Sequence, residues 1–247
     1  MIPNNNLSVL PFYTSLDQQN ARKWWMYGRI YPLYCPAGFL LPFQIITEHT
    51  NWTVSTIRSV RIVDANTGAF VADITDAIRA GITKREFTTL GYDVWVFPGQ
   101  LPVINALQNG RYYIELVIGY AFYSEIFTVV NDIQPYLKIT WWDVEDFTMD
   151  AGTIVYTNPT FKNVLYLQSD LAKPEYPFEE EGETRDGYFF PTKQISEKRY
   201  RFNFLASEYL LDVMRFIRMA DFAEIEYHGQ RYSLDTFLIT PEWEDNG

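Results

Sequence analysis

Hydrophobic and polar positions alternate with a period of two over much of this chain. Residues 59–75 read SVRIVDANTGAFVADIT, with alternation on both sides of a turn sequence. The alternation recurs in RYYIELVI at 111–118, which follows the turn pair Asn109-Gly110, and in FYSEIFTVV at 122–130. Because a strand points successive side chains to opposite faces, the pattern predicts short antiparallel strands with one buried face.

The rest of the chain continues this pattern and adds one helix. Strand-like stretches are predicted in the following places: 86–97, 136–143, 153–157, 161–170, 198–206, AEIEY before a His228-Gly229 turn, RYSL after it, and TFLITPEW. Apolar residues then recur at helical spacing behind Ser207, which is a good N-cap residue, and arginines lie in the last turn. They predict a helix near 207–220, and a shorter helical turn is predicted within 73–82.

The spacing of strands and turns predicts a mainly β protein with two folded units. Residues 45–133 have the strand number and turn spacing of an immunoglobulin-like or fibronectin-like antiparallel β-sandwich. The polar sequence NDIQP at 131–135 is the predicted boundary, and residues 134–247 are predicted to form a β-rich domain containing the one amphipathic helix. Residues 1–130 contain nine acids and nine bases, so the whole net charge of −11 belongs to the second half.

The first 44 residues form an aromatic segment interrupted by prolines, which prevent a long helix. One interpretation is a first strand and connecting loops on the chain's own core. The other is an arm that docks on a neighbouring subunit, because Trp and Tyr are enriched at interfaces. The candidate assembly contacts are Phe12, Tyr13, Trp24, Trp25, Tyr27 and Tyr31.

Composition excludes several classes of protein. No apolar run is long enough for a membrane helix, and the N-terminus lacks the pattern of a secretory signal, so membrane insertion is not expected. The acidic balance argues against a general or sequence-specific nucleic-acid-binding surface. With Cys35 as the single cysteine, an intramolecular disulfide is impossible and a buried thiol is expected.

The sequence also predicts no catalytic, metal-binding or cofactor-binding residues, and an enzyme is not expected. Neither a phosphate loop nor a dinucleotide-binding glycine motif occurs, and HExxH and GxSxG are absent. His228, before Gly229, favours a turn over catalysis, and His49 has no supporting motif. Paired carboxylates leave a hydrolase open as a minor alternative, since their separation depends on the fold.

The most acidic stretch, EYPFEEEGETRDGYFF at 175–190, does not fit a calcium-binding loop, whose order of ligands it lacks. Charges this dense repel one another when they lose water. We therefore expect a solvated loop between strands ending near Tyr176 and beginning near Tyr188, or an electrostatic contact with a basic partner. The candidate acidic surface residues are Glu179, Glu180, Glu181, Glu183 and Asp186.

Several runs resemble virion proteins of bacteriophages of Bacteroidetes, including crAss-like phages, and of related prophages. They are LPFYTSLDQQNARKWWMYGRIYPL with LLPFQI after it, NGRYYIELVIGYAFYSEIFTVVND, and KPEYPFEEEGETRDGYFFPTKQISEKRYRFNFLASEYLLDVMRFIRMAD. The similarity is one of segment character, covers most of the chain in order and contains no catalytic signature.

The resemblance implies a structural, non-enzymatic protein of the phage neck or tail, synthesised in the host cytoplasm and located in the virion. It would be a multi-copy ring or collar protein, or an adaptor for tail fibres, with homo-oligomeric contacts and contacts to other virion proteins. A further hypothesis is that the acidic half faces a DNA passage, where negative charge keeps DNA from adhering. A receptor- or glycan-binding tail module and, less favoured, a tail-associated hydrolase remain as alternatives.

Overall fold

The computed structural model of the chain describes residues 8–16, 33–88, 91–99, 107–144, 148–150, 153–155 and 161–242. The described part is mainly β, with several sheets and two α-helices, as the sequence predicts. The strands, in chain order, are β1 (Phe12–Tyr13), β2 (Leu33–Pro36), β3 (Phe43–Glu48), β4 (Ile57–Asp64), β5 (Phe70–Asp73), β6 (Thr83–Phe87), β7 (Tyr92–Phe97), β8 (Gly110–Ile118), β9 (Tyr120–Ser124), β10 (Phe127–Val130), β11 (Leu137–Trp142), β12 (Thr148–Asp150), β13 (Thr153–Val155), β14 (Asn163–Leu167), β15 (Phe178–Arg185), β16 (Tyr188–Ser196), β17 (Phe222–Tyr227) and β18 (Gln230–Leu234). The helices are α1 (Thr75–Gly81) and α2 (Glu208–Met214), with 3₁₀ turns at Val54–Thr56 and Arg215–Arg218.

A seven-stranded sheet forms the framework of the first half. Its main path runs β1-β9-β8-β10-β2, and β4 joins β8 from the other side and carries β5. The central strand β8 buries Tyr112, Ile114, Leu116 and Ile118 at every second position. This is the period of two seen in the sequence, and it directs one face of the sheet into the core.

A three-stranded sheet, β3-β7-β6, contributes to the same core. Phe43 and Phe97 are buried in the cluster that also holds Ile114 and Leu116 of the seven-stranded sheet. The other face of the small sheet is covered as well, because Val94 and Val96 pack with Phe161. Since both faces are buried, β7 reads as the nearly continuous apolar run DVWVF.

Most local predictions for the first half are confirmed. The hairpin predicted at 59–75 is β4–β5, and the helical turn predicted within 73–82 is α1. Two predicted single strands are each divided: 86–97 is the hairpin β6–β7, which begins three residues earlier, and 122–130 contains the end of β9 and all of β10. In the second case β9 and β10 both run antiparallel to β8, and the pairing is interrupted between them, where the Ile114 amide donates to the Ser124 hydroxyl.

The described part of the N-terminal segment belongs to the chain's own sheet. β1 pairs with β9, and Phe12 is only 5% exposed, with its ring 4.8 Å from that of Phe43. The prediction of Phe12 as a contact to a neighbouring subunit is therefore corrected, because its apolar surface is already buried. β2 pairs parallel with β10, a departure from an all-antiparallel sheet.

The other candidate contacts of this segment divide into two groups. Tyr13 is half-buried, and its hydroxyl donates to the Glu125 carboxylate at 3.0 Å. Trp24, Trp25, Tyr27 and Tyr31 lie outside the described residues.

The second half is built on a four-stranded sheet, β14-β11-β17-β18. The predicted helix near 207–220 is confirmed as α2 followed by the 3₁₀ turn, with Ser207 in extended conformation at the N-cap. Its apolar side lies in the core through Leu210, Val213, Met214 and Ile217. Strand predictions at 198–206 and 236–243 are wrong over the described residues, where only Arg199 forms an isolated bridge, to Glu175.

The two halves share buried residues. Leu33 and Cys35 of β2 belong to the same cluster as Leu137 of β11 and Leu165 of β14. At the surface of this junction the Tyr34 ring lies 4.6 Å from that of Tyr136. No helix within the described ranges is long and apolar enough to cross a membrane.

Candidate functional site

The acidic stretch at 178–196 forms a β-hairpin, which we call the hairpin arm. Among the strands that the structure describes, β15 and β16 pair with each other alone, from Phe178 opposite Ser196 to Arg185 opposite Tyr188. Every residue of the arm is exposed except Ile195, which is half-buried. The prediction of a loop between strands is therefore corrected, although the solvation predicted for these residues is present.

The turn at the tip of the hairpin arm explains why a strand forms despite the charge density. Asp186 and Gly187 connect the strands as a two-residue turn with φ of 52° and 83°. Positive φ at both central residues is the I′ conformation, whose twist matches that of the flanking strands, and Asp-Gly is among its preferred sequences. This dipeptide is the sequence signal for the hairpin.

Neighbours on β15 itself and on β16 reduce the repulsion between the glutamates of β15. The Arg185 guanidinium lies 2.7 Å from the Glu183 carboxylate, and Gln194 donates to Glu180 at 2.7 Å. The more distant contact between Lys193 and Glu181 is 4.0 Å. All of these groups are exposed, so each contact contributes little stability, about 0–1 kcal/mol.

Aromatic residues make the hairpin arm more than a solvated acidic strand. Tyr188 is 73% exposed, and the rings of Tyr176, Phe178, Phe189 and Phe190 are each at least half exposed. Gly182 makes room for one of them, since a Cβ there would lie 2.6 Å from the Phe189 ring. Exposed apolar groups gathered on a projecting element mark a surface for interaction.

The base of the hairpin arm is held by backbone pairing. Glu175 and Arg199 exchange two amide-to-carbonyl hydrogen bonds of 2.9 Å. The Arg201 guanidinium lies 3.0 Å from the Glu175 carboxylate on the same side of the chain. The arm therefore leaves the body of the protein from a fixed root.

Next to this root lies an open groove of about 2090 Å³, which we call the base groove. Two extended segments, 200–206 and 235–242, contribute to its walls. The Phe202 ring of one wall lies 6.2 Å from the Phe237 ring of the other. Leu205 and Leu238 remain 71% and 76% exposed.

Neither segment belongs to a sheet of the described chain. Residues 201–206 alternate between exposed and half-buried, as a strand does. Along this wall the Arg201 carbonyl accepts from the Ala172 amide, and the Asn203 carbonyl accepts from the Ser169 hydroxyl. Along 235–242 the structure records no hydrogen bond to another described residue.

At the edge of the base groove lies an aromatic pair under a cation. The rings of Tyr200 and Tyr232 are 4.8 Å apart, and the Lys198 ammonium lies 5.1 Å and 5.8 Å from their centres. Such contacts are worth about 0.5–1 kcal/mol where they are exposed. The arrangement offers two aromatic rings, tilted by 46° to each other, together with a positive charge.

A separate polar cluster lies on the three-stranded sheet. The carboxylate of Asp93, which is fully buried, lies 2.7 Å from His49 Nδ1 and 3.0 Å from Lys84 Nζ. The Thr50 amide donates to its second oxygen at 2.9 Å, and Lys84 also contacts Glu86 at 2.9 Å. The register of β3, β7 and β6 brings these groups together from three strands or their ends.

The environment of Asp93 keeps it ionised. Burial by itself raises the pKa of this carboxyl, but hydrogen bonds from His49 and Thr50 and the Lys84 ammonium outweigh it, and the pKa lies below its usual value. Burial lowers the pKa of Lys84, but the contacts with Glu86 and Asp93 together outweigh this effect, and the pKa lies above its usual value. The result is a charge-compensated cluster.

A carboxylate-oriented imidazole also occurs in acyl-transfer enzymes, where it activates a nucleophile. Within the described residues, His49 has no hydroxyl or thiol as a hydrogen-bond partner. In this geometry His49 is a hydrogen-bond partner of Asp93 at the edge of the sheet. Little in the sequence indicates this pairing, because the two residues are 44 positions apart.

The structure brings five sequence-predicted residues onto one element, the hairpin arm: Glu179, Glu180, Glu181, Glu183 and Asp186. It separates them from Phe12 and Tyr13, which lie in the seven-stranded sheet. His228 adopts the positive φ of 48° expected of a turn residue before Gly229.

Comparisons with known proteins identify no relative. No protein-family model, no curated protein and no solved structure matches the chain.

Proposed function

We propose that this chain is a non-enzymatic structural component of a bacteriophage virion that joins its neighbours through the hairpin arm. The observation that carries the proposal is an arm of 19 residues with its aromatic side chains in water and with neither outer edge paired to another strand of the described chain. An isolated two-stranded hairpin is at best marginally stable in water. A partner surface would stabilise it and cover its rings.

The phage context comes from the resemblance of the sequence to virion proteins, and the arm fits it. Within that context we propose a multi-copy ring or collar protein of the neck or tail, or an attachment protein for fibres. The first half would be an immunoglobulin-like or fibronectin-like sandwich, a proposal supported by two sheets that share one core. Its partners would be further copies of the chain and other virion proteins.

The test is the presence of the chain in particles and its dependence on the arm. Purified virions of the phage or prophage that encodes the chain are expected to contain it, as detected by peptide mass spectrometry. A Tyr188→Ser/Phe190→Ser variant supplied in place of the native chain should be incorporated at least tenfold less.

The matched control is Phe70→Ser, which removes another exposed ring, 61% exposed, from β5. It should be incorporated like the native chain. Absence of the native chain from particles, or equal incorporation of both variants, would refute the proposal.

A glycan-binding tail module is a second candidate, favoured by the Tyr200–Tyr232 pair under Lys198. Sugar rings stack on such aromatic surfaces. Binding on a glycan array that is lost in Tyr232→Ala and kept in Tyr188→Ser would support this candidate over assembly through the arm.

A further inference from the structure

We propose that the base groove receives the hairpin arm of a second copy of this chain, whose strands pair with the extended walls of the groove. This inference rests on the proposed assembly function and names the partner. The backbone of the groove walls supports this contact. Residues 198–206 and 236–243 have strand-like sequences. In the described chain the backbone of the first bonds along one edge only, to the segment 172–175, and no backbone hydrogen bond is recorded along the second.

The hairpin arm supplies what these walls lack. β15 and β16 each have one edge that pairs with no other strand of the described chain. With eight residues in β15, the arm extends about 26 Å, long enough to lie along either wall. Addition of strands to an unpaired segment is an established mode of recognition, in which backbone bonds give affinity and side-chain pockets give specificity.

The exposed aromatic rings supply apolar area for the contact. Aromatic side chains bury about 150–250 Å² each when fully covered, so the five exposed rings at 176–190 still offer about 600 Å². One side of a standard protein–protein interface buries about 800 Å². The rings alone therefore supply most of one side, before the backbone and the groove's own Leu205 and Leu238 are included.

The arm and the wall at 198–206 carry opposite net charges. The arm at 178–196 carries five acids and two bases, whereas the wall at 198–206 carries three bases and no acid. Arg199 and Arg201 of this wall contact Glu197 and Glu175, but these pairs are largely exposed and leave the guanidinium groups accessible. Opposite charges on the arm and this wall favour their contact, whereas the wall at 235–242 carries two acids, Asp235 and Glu242, and no base.

The occupant is a second copy and not the same chain. Apart from Ser196 at its root, the arm contributes no residue to the lining of the groove. The backbone pair between Glu175 and Arg199 holds that root beside the groove. Since the arm and the groove are different surfaces, the contact is heterologous and builds a ring if it closes.

The experiment measures native mass by analytical ultracentrifugation over a range of concentrations. The wild-type chain should form oligomers. An arm variant, Tyr188→Ser/Phe190→Ser, and a groove variant, Leu205→Glu/Leu238→Glu, should each be monomeric, because each lacks one half of the contact. The Phe70→Ser control should assemble like the wild-type chain.

The decisive step is to mix the two variants in equal amounts. The intact groove of the arm variant and the intact arm of the groove variant can form one contact, so the mixture should give dimers and nothing larger. A monomeric wild-type chain, a monomeric mixture, or a variant that assembles alone would each overturn the proposal.

Cross-linking gives a second measurement on chains that keep their native arm and groove rings. Thr184→Cys and Leu238→Cys chains, mixed and treated with a short bis-maleimide, should yield a covalent dimer that Thr184→Cys mixed with Asn66→Cys does not. The native Cys35 will not interfere, because burial raises the pKa of its thiol to about 12. Equal cross-linking in both mixtures would contradict the proposal.

Failure of this inference and failure of the proposed function can be told apart. Virions that contain a chain monomeric in solution and uncross-linked would leave the virion proposal standing with a different partner for the arm. Arm-dependent oligomers of a chain absent from virions would leave the arm-in-groove contact standing and refute the virion function.

Discussion

Asp93 is the residue on which the polar cluster of the three-stranded sheet depends. Its carboxylate is buried and receives His49, the Thr50 amide and Lys84, so both charge and hydrogen-bonding capacity are satisfied. Removal of the Asp93 charge leaves the mostly buried Lys84 ammonium without its buried counter-ion, which lowers the stability of the fold.

Asp93→Asn should therefore lower the free energy of unfolding by about 3 kcal/mol, measured by urea denaturation. The side chain keeps its size but loses the charge that Lys84 contacts. Asp76→Asn is the matched control: Asp76 is exposed and pairs with Arg79 at 3.4 Å, so its loss should cost less than about 0.5 kcal/mol. Equal effects would show that Asp93 is not a structural centre.

The same residue gives a pH dependence with a definite sign. Because the pKa of Asp93 is lower in the folded chain than in the unfolded one, its ionisation stabilises the fold above about pH 4 and ceases to do so as pH falls through the folded pKa. Wild type should lose more stability between pH 5 and pH 3 than Asp93→Asn does. Parallel curves for the two proteins would refute this.

At the scale of elements, two hairpins have the same type of turn but different surroundings. β15–β16 turns through Asp186-Gly187 and β17–β18 through His228-Gly229, with positive φ at all four residues. β17 lies inside the four-stranded sheet and buries Ala223 and Ile225, whereas the hairpin arm is exposed. The same local change should therefore have a local effect in one hairpin and a global effect in the other.

Alanine at position 229 should lower the free energy of global unfolding by about 1–2 kcal/mol, because a side chain is strained at φ of 76°. Alanine at 187, where φ is 83°, should leave global unfolding unchanged and increase hydrogen exchange and proteolysis within the arm. No atom obstructs a Cβ at either position, so strain is the only difference introduced. A fall in global stability for Gly187→Ala would show that the arm is part of the core.

Prediction from sequence succeeded where an element depends on its own residues. The β4–β5 hairpin and α2 follow from alternation, turn residues and helical spacing within one stretch. It failed at 198–206, where the alternation is as clear but contact with the segment 172–175 amounts to one isolated bridge. A strand requires a partner, and a local pattern does not contain one.

At the scale of the whole molecule, the two predicted units are joined by a common core. Tyr34 of the first half contacts the Tyr136 ring and donates to the Gln168 side chain at 2.8 Å, above the buried Cys35 strand. A contiguous buried cluster favours cooperative unfolding.

We expect one transition in calorimetry, with calorimetric and van't Hoff enthalpies that agree. Tyr34→Ala should lower the free energy of unfolding by about 2 kcal/mol, because the half-buried ring is lost. Tyr34→Phe keeps the ring and loses only an exposed hydrogen bond, so it should cost about 0.5 kcal/mol. Two separate transitions in the wild-type chain would instead establish independent domains.

The sequence by itself determined the mainly β character, the positions of the β4–β5, β8–β9 and β17–β18 hairpins and of the helix, and the acidity of 178–196, since these depend on residues close in the chain. Tertiary structure decided that Phe12 is buried, that His49 contacts Asp93, and that the acidic stretch projects as an arm beside an open groove. The physical reason is that each of these results depends on which distant segment lies opposite. Burial, ion pairing and strand pairing are properties of two surfaces, and the local sequence describes only one of them.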